Sequence, residues 1–371
     1  MQNSHAMDPR PVGGRPDASL SPPPAAGGSG TDPRLRAAQR VFQGSLVYTI
    51  AITLVWLVVL ALGPERTPLF GKSRFDRETI PRVIVGFLMM SVLWGWIWYR
   101  IRALLLRRFV GMSKEDIREV FTSRMSASFE VSRFVSRYSE RRIRITDMIG
   151  RRGRFVTIGV MGFLYIYSRV AADPKPEYLL FGMWENLFDA VAFSWLNLAA
   201  YYSEGFFGRV VFGAQTRIMD GTQGRANCLL ITTLWNAFKF VMLPISVQLA
   251  AHLPPETFAP VFVLIWPSYL ACDALSEIVG SLFGKQKLRV WGIGDVNRKS
   301  VAGTVAGFVG SLALCLAVVA ASSLPGPWVA LAVAVSVSNT LLELLSPRGT
   351  DDFTMATANA LLCWGFGVLA Y

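Results

Sequence analysis

Long uninterrupted apolar runs, separated by short polar connections, set the pattern of this chain. Nine stretches read as membrane helices: about 44–63, 83–99, 155–172, 179–202, 227–250, 257–279, 301–323, 327–345 and 354–371. Apolar residues in them are continuous rather than alternating, which selects helices over barrel strands. Crossing the hydrocarbon layer takes about 20 apolar residues. The runs 83–99 and 354–371 are short, and 179–202 carries Glu185 and Asp189 one turn apart on one face. Pro267 predicts a break in the sixth run, because an interior proline removes a helix hydrogen bond. The expected fold is all-α, a polytopic bundle of about eight to nine spans.

The polar intervals divide the chain further. Residues 1–40, rich in Pro, Gly, Ser and Ala, are expected to be a disordered tail without a cleaved signal peptide. An N-terminal membrane hairpin over 41–99 follows, then a basic cytoplasmic segment over 100–154. Middle membrane helices over 155–256 lead into a C-terminal region over 257–371. In the basic segment, Ser113 ahead of Glu115, Asp116 and Glu119 predicts a capped helix start. Phe121, Met125, Phe129, Val131, Phe134 and Tyr138 supply a partly helical apolar face, decorated with arginines. Two readings stand: an amphipathic helix on an anionic leaflet, or a basic connecting helix packed on the bundle.

Composition agrees with the pattern. Of 371 residues, 52% are hydrophobic and 17% charged, and the mean hydropathy is +0.40. The net charge of +12 would suggest nucleic-acid binding in a soluble protein. Here the excess arginine lies between apolar runs, where it reads as topology and anionic-lipid contact, with no nucleic-acid partner. Segment 100–154 holds fifteen basic and six acidic residues, so 15 − 6 gives +9 of the charge. Placing it in the cytoplasm puts the N-terminus and the loops near 203–226, 280–300 and 346–353 there too; the basic connection 64–82 is the exception. Cys228, Cys272, Cys315 and Cys363 are dispersed in or near apolar runs without zinc spacing. His5 and His252 supply no histidine-based metal cluster.

Candidate chemistry concentrates in the C-terminal third. Asp273 and Glu277 share one helix face at the end of the sixth run. Such a pair suits Mg²⁺, supplies a base for a hydroxyl, or forms a structural ion pair with Lys285 or Lys299. Gly280 and Gly284 precede Lys285, and glycine lets backbone amides approach phosphate oxygens. The spacing is not that of a Walker A loop, since three residues separate the glycines and Gln286 follows the lysine. Asn297, Arg298, Lys299 and Ser300 stand before a helix start, with Gly303 and Thr304 in its first turns; that arrangement favours anions. Glu343 lies inside an apolar run, followed by Asp351 and Asp352. Acids and bases on one membrane face are what a metal–nucleotide site requires.

The ordered set D-x-x-x-E-x-x-G-x-x-x-G-K, N-x-K-S-x-x-G-T, an intramembrane Glu and an acidic pair resembles the CTP-dependent lipid-alcohol kinases. That group includes phytol kinase, dolichol kinase and the CTP-dependent diacylglycerol kinases, distant relatives of the phosphatidate cytidylyltransferases. The likeness covers about 260–371, and the chain has Asp351-Asp352 where the family usually has Asp-Asn and lacks the proline that usually follows. The resemblance implies an integral-membrane kinase that moves a phosphoryl group from CTP, or another nucleotide such as ATP, to an isoprenoid or other lipid alcohol. It implies Mg²⁺ at Glu343, Asp351 and Asp352, and phosphate contacts from Lys285, Lys299 and the glycine amides. Asp273 or Glu277 would orient or deprotonate the alcohol, while Gly280, Gly284, Asn297, Ser300, Gly303 and Thr304 would line the nucleotide site. The alternatives are a cytidylyltransferase and a non-catalytic transporter or scaffold.

Overall fold

In a computed structural model, the structure describes residues 33–62, 85, 88–122, 130–172, 183–290, 297–347 and 349–370. The tail through residue 32 and the basic connection 64–82 lie outside these residues. The described residues are 87% helix and 2% strand. Helix α1 spans Pro33–Leu62, and a π-helical turn at Leu88–Leu93 leads into α2, Trp94–Leu105. A second π-turn at Leu106–Val110 precedes α3 (Lys114–Thr122), α4 (Val131–Arg137) and the long α5 (Glu140–Ala172). Then come α6 (Met183–Tyr201), α7 (Phe206–Phe212), a 3₁₀ turn at Ile218–Gln223 and α8 (Gly224–His252). The C-terminal part is α9 (Phe258–Ile265), α10 (Pro267–Phe283), β1 (Lys287–Val290), β2 (Asn297–Ser300), α11 (Val301–Ala321), α12 (Pro327–Leu345) and α13 (Asp351–Ala370).

Among the described residues, five helical stretches are long and apolar enough to cross a membrane: Leu35–Val58, Pro255–Phe283, Val301–Ala321, Pro327–Leu345 and Asp351–Ala370. A sixth arises if the two arms around Pro244, bent by 40°, count as one span. The eight to nine spans read from sequence are not confirmed among the described residues, and the run 83–99 lies partly outside them. The break at Pro267 is present, with Trp266 at φ −101° and ψ −68° between α9 and α10. Exposed valines at Val301, Val305 and Val309, and at Val329, Val333 and Val337, recur every fourth residue. Such stripes are the faces that hydrocarbon would cover.

The basic segment is not one amphipathic helix. Ser113 Oγ accepts from the Asp116 amide at 3.0 Å and starts α3. Phe121 and Phe134 point inward, joining Leu106, Val110, Met112, Val120, Ile143 and Ile218 in one apolar cluster. The apolar face is therefore used within the protein; Met125 and Phe129 lie outside the described residues.

A two-stranded antiparallel hairpin departs from the all-α expectation. Its register pairs Lys287 with Ser300 and Val290 with Asn297. It brings the end of α10 to the start of α11, and these two helices pack most extensively of all pairs. Glycine makes that approach possible. A Cβ on Gly307 would lie 2.1 Å from Ser276 Oγ and 2.8 Å from the Cys272 carbonyl. Replacing Gly307 by valine is expected to destabilise the chain by about 1–3 kcal/mol or more, read as a lowered thermal midpoint in detergent.

Candidate functional site

A cavity of about 860 Å³ opens where α5, α6, α8, α10, α11, α12 and α13 converge. From the sequence-predicted set, Asp273, Glu277, Gly280, Lys299, Ser300, Gly303, Thr304, Glu343, Asp351 and Asp352 line it. The hairpin explains part of this convergence: it sets Lys299 and Ser300 beside the end of α10. Helices α12 and α13 meet through a short turn, which carries Glu343 and Asp351 to the same end. The sequence-predicted part of the lining therefore comes from four helices, α10 to α13, and one strand, β2.

Asp273 is buried, and Arg152 grips both its oxygens, Nη2 reaching Oδ1 at 2.5 Å and Nη1 contacting Oδ2. Glu277 faces three arginines: Arg151 and Arg152 on one oxygen, and Arg217 on the other at 2.8 Å. Burial disfavours the Arg152 charge, yet Asp273 and Glu277 hold its guanidinium well above its ordinary value. Lys299 Nζ contacts Glu343 Oε1 and lies 3.8 Å from Asp351 Oδ2. Burial again opposes the charge, but Glu343 and Asp351 raise the Lys299 ammonium above its usual value.

Asp273, Glu343 and Asp351 each offer a carboxylate oxygen, and the three oxygens lie within 4.8 Å of one another. This grouping differs from the sequence expectation, which paired Glu343 and Asp351 with Asp352. Glu343 Oε2 and Asp352 Oδ1 are enclosed without a hydrogen-bond partner among the described residues. An unpaired buried carboxylate oxygen is costly, and a hard cation with oxygen ligands would satisfy it. The donor set is thus suited to a divalent ion such as Mg²⁺.

Two groups of residues are placed differently from the expectation. Lys285 is exposed and does not line the cavity. Gly284 closes the last turn of α10 on the Gly280 carbonyl at 3.2 Å, and the chain then leaves the helix with Lys285 on the link to β1. Lys287, two residues on, lines the cavity instead. Second, the glycine amides do not form a phosphate cradle. Gly280 sits within α10, Gly284 donates to Gly280, and Gly303 donates to Ser300 Oγ at 3.1 Å. Ser300 is instead the N-cap of α11, and Cβ atoms on Gly280 and Gly284 would lie 2.7 and 2.5 Å from its hydroxyl. These glycines make room for the cap. Asn297 lies in β2, and its side chain falls outside the described residues.

Sequence reasoning missed the arginine partners. Five acids in the candidate set faced only Lys285 and Lys299, and that charge deficit was the available signal. Also unforeseen is the apolar contribution of α6 and α8, through Phe193, Leu196, Ile231 and Trp235. Asn236 is held by Ser194 Oγ at 2.8 Å and the Ala190 carbonyl at 3.2 Å, as helix–helix hydrogen bonding would have it. The side chains of Glu185 and Asp189 lie outside the described set. Replacing Ser300 by alanine is expected to cost about 1 kcal/mol through the lost cap, measurable as a lower unfolding midpoint. Comparisons with protein-family models, with curated proteins and with solved structures return no match.

Proposed function

We propose that the chain is an integral-membrane kinase that transfers the γ-phosphoryl group of CTP, or of another nucleoside triphosphate, to a lipid alcohol of isoprenoid or diacylglycerol type. One observation carries this reading: a single cavity joins clustered carboxylates and cations to apolar side chains of helices in a membrane-type bundle. A charged phosphate donor and a greasy acceptor need that combination, since the tail stays in hydrocarbon while the hydroxyl meets the phosphate. In this reading the basic loops put the N-terminus and the cavity mouth on the cytoplasmic side, where nucleotide is available.

Asp273, Glu343 and Asp351 would hold Mg²⁺, which, when bound, neutralises phosphate charge that the chain's cations leave uncompensated. Lys299, already between Glu343 and Asp351, lies where it attracts transferring phosphate oxygens. The acceptor hydroxyl oxygen bonds to the γ-phosphorus as the bridging bond to the nucleoside diphosphate breaks. Its proton passes to a carboxylate. Arginines already hold the oxygens of Asp273 and Glu277, which disfavours both for this role. Asp352, with an oxygen enclosed and unpartnered, is the better acceptor. An acceptor screen tests the reading: purified chain in lipid, Mg²⁺ and γ-labelled CTP or ATP, with phytol, farnesol, polyprenol and diacylglycerol compared. Label is expected in the lipid fraction with at least one alcohol; its absence with all of them counts against a kinase.

A further inference from the structure

Arginines of the basic segment face the cavity rather than a membrane surface. Arg151 and Arg152 of α5, Arg217 before the 3₁₀ turn, and Lys287 of β1 all line it. Three guanidinium groups, those of Arg151, Arg152 and Arg217, converge on Asp273 and Glu277 at the cavity wall. The donors are not exhausted. Arg151 spends Nη2 on Glu277, and its Nε is enclosed without a partner. The side chains of Arg151 and Arg217 remain 23% and 31% exposed, within reach of a ligand in the cavity. A planar guanidinium fork matches phosphate oxygens in a way that a lysine point charge does not.

We propose that Arg151, Arg152 and Arg217, together with Lys287, form an anion-binding wall for the phosphate groups of the ligand. Residues at the end of the basic segment thereby belong to the site and not to surface anchoring. Glu277 is then a positioning residue that holds three mutually repelling guanidinium groups in one place. The identity of the ligand rests on the phosphoryl-transfer reading, whereas the wall itself does not. The shared chemistry is a phosphate anion, carried either by a soluble polyphosphate such as a nucleotide tail or by a phosphorylated lipid head.

The test is calorimetric titration of the purified full-length chain in detergent, with sodium tripolyphosphate in one arm and short-chain phosphatidate in the other. Saturable binding is expected, weakened roughly tenfold or more in Arg151→Ala and in Arg217→Ala. Arg151→Lys should recover part of the loss, because charge returns without the fork. Each alanine also removes an ion pair at Glu277, so the unaltered chain is examined in parallel by phenylglyoxal labelling read by mass spectrometry. Modification at Arg151 or Arg217 should fall when the anion is present. Protection by tripolyphosphate alone assigns the wall to the nucleotide, and protection by phosphatidate alone assigns it to a lipid phosphate. No saturable binding in either arm, or unchanged affinity in folded Arg151→Ala and Arg217→Ala proteins, overturns the wall. Arginine-dependent binding without phosphoryl transfer to any alcohol keeps the wall and removes the kinase. Transfer that ignores these arginines does the reverse.

Discussion

Replacing Arg152 by leucine is expected to destabilise the chain by about 3–5 kcal/mol, the largest stability effect of any single substitution at the site. Arg152 is buried and takes both oxygens of buried Asp273 and one oxygen of Glu277. Its removal leaves Asp273 without the bidentate partner that offsets its desolvation. Glu277 suffers less, since Arg151 and Arg217 remain. Arg152→Lys should recover only part of the loss, because one ammonium cannot reproduce the two-pronged grip on Asp273 while also reaching Glu277. The double substitution Arg152→Leu with Asp273→Leu should be less damaging than Arg152→Leu alone, since it removes the stranded charge along with its partner. Thermal unfolding in detergent reads all three. Equal midpoints for Arg152→Leu and the unaltered chain would remove the ion pair as the tie between α5 and α10.

The second large effect concerns activity. Glu343→Ala is expected to lower the rate of phosphoryl transfer by roughly 10²–10³, without a comparable loss of stability. Glu343 is one of three carboxylates whose oxygens converge, and its second oxygen is enclosed without a partner. It also anchors Lys299. The substitution therefore removes a ligand from the cation set and leaves the lysine with Asp351 alone of its two carboxylates. Lys285→Ala, in contrast, should stay within about twofold, since Lys285 is exposed away from the cavity lining. Initial rates with γ-labelled nucleotide measure both. Equal losses in the two variants would show that the cavity has been assigned to the wrong lysine.

The C-terminal helices were legible from hydrophobic runs alone. Predicted spans 257–279, 301–323, 327–345 and 354–371 meet helices at Phe258–Phe283, with its break at Trp266, then Val301–Ala321, Pro327–Leu345 and Asp351–Ala370. Continuous apolar sequence has one stable answer where the backbone must satisfy itself. The helix start after Ser300 was legible from local sequence as well. Legibility ended where contacts became distant. Arg152 and Asp273 stand 121 residues apart, and nothing in periodicity joins them. The same limit hid the hairpin, since a loop rich in basic residues gives little strand pattern. Gly280, Gly284 and Gly303 illustrate a subtler failure. Their spacing fits both an amide cradle and close helix packing, and only the geometry around Ser300 separates the two.

Following both ends of one CTP molecule tests phosphoryl transfer most directly. The purified chain, with Mg²⁺ and an accepting lipid alcohol, receives CTP carrying one label on the γ-phosphate and another on the cytidine. The expected result is γ-label in the lipid fraction and cytidine label in released CDP. Cytidine label in the lipid with release of pyrophosphate, or neither label in any lipid, would contradict a kinase.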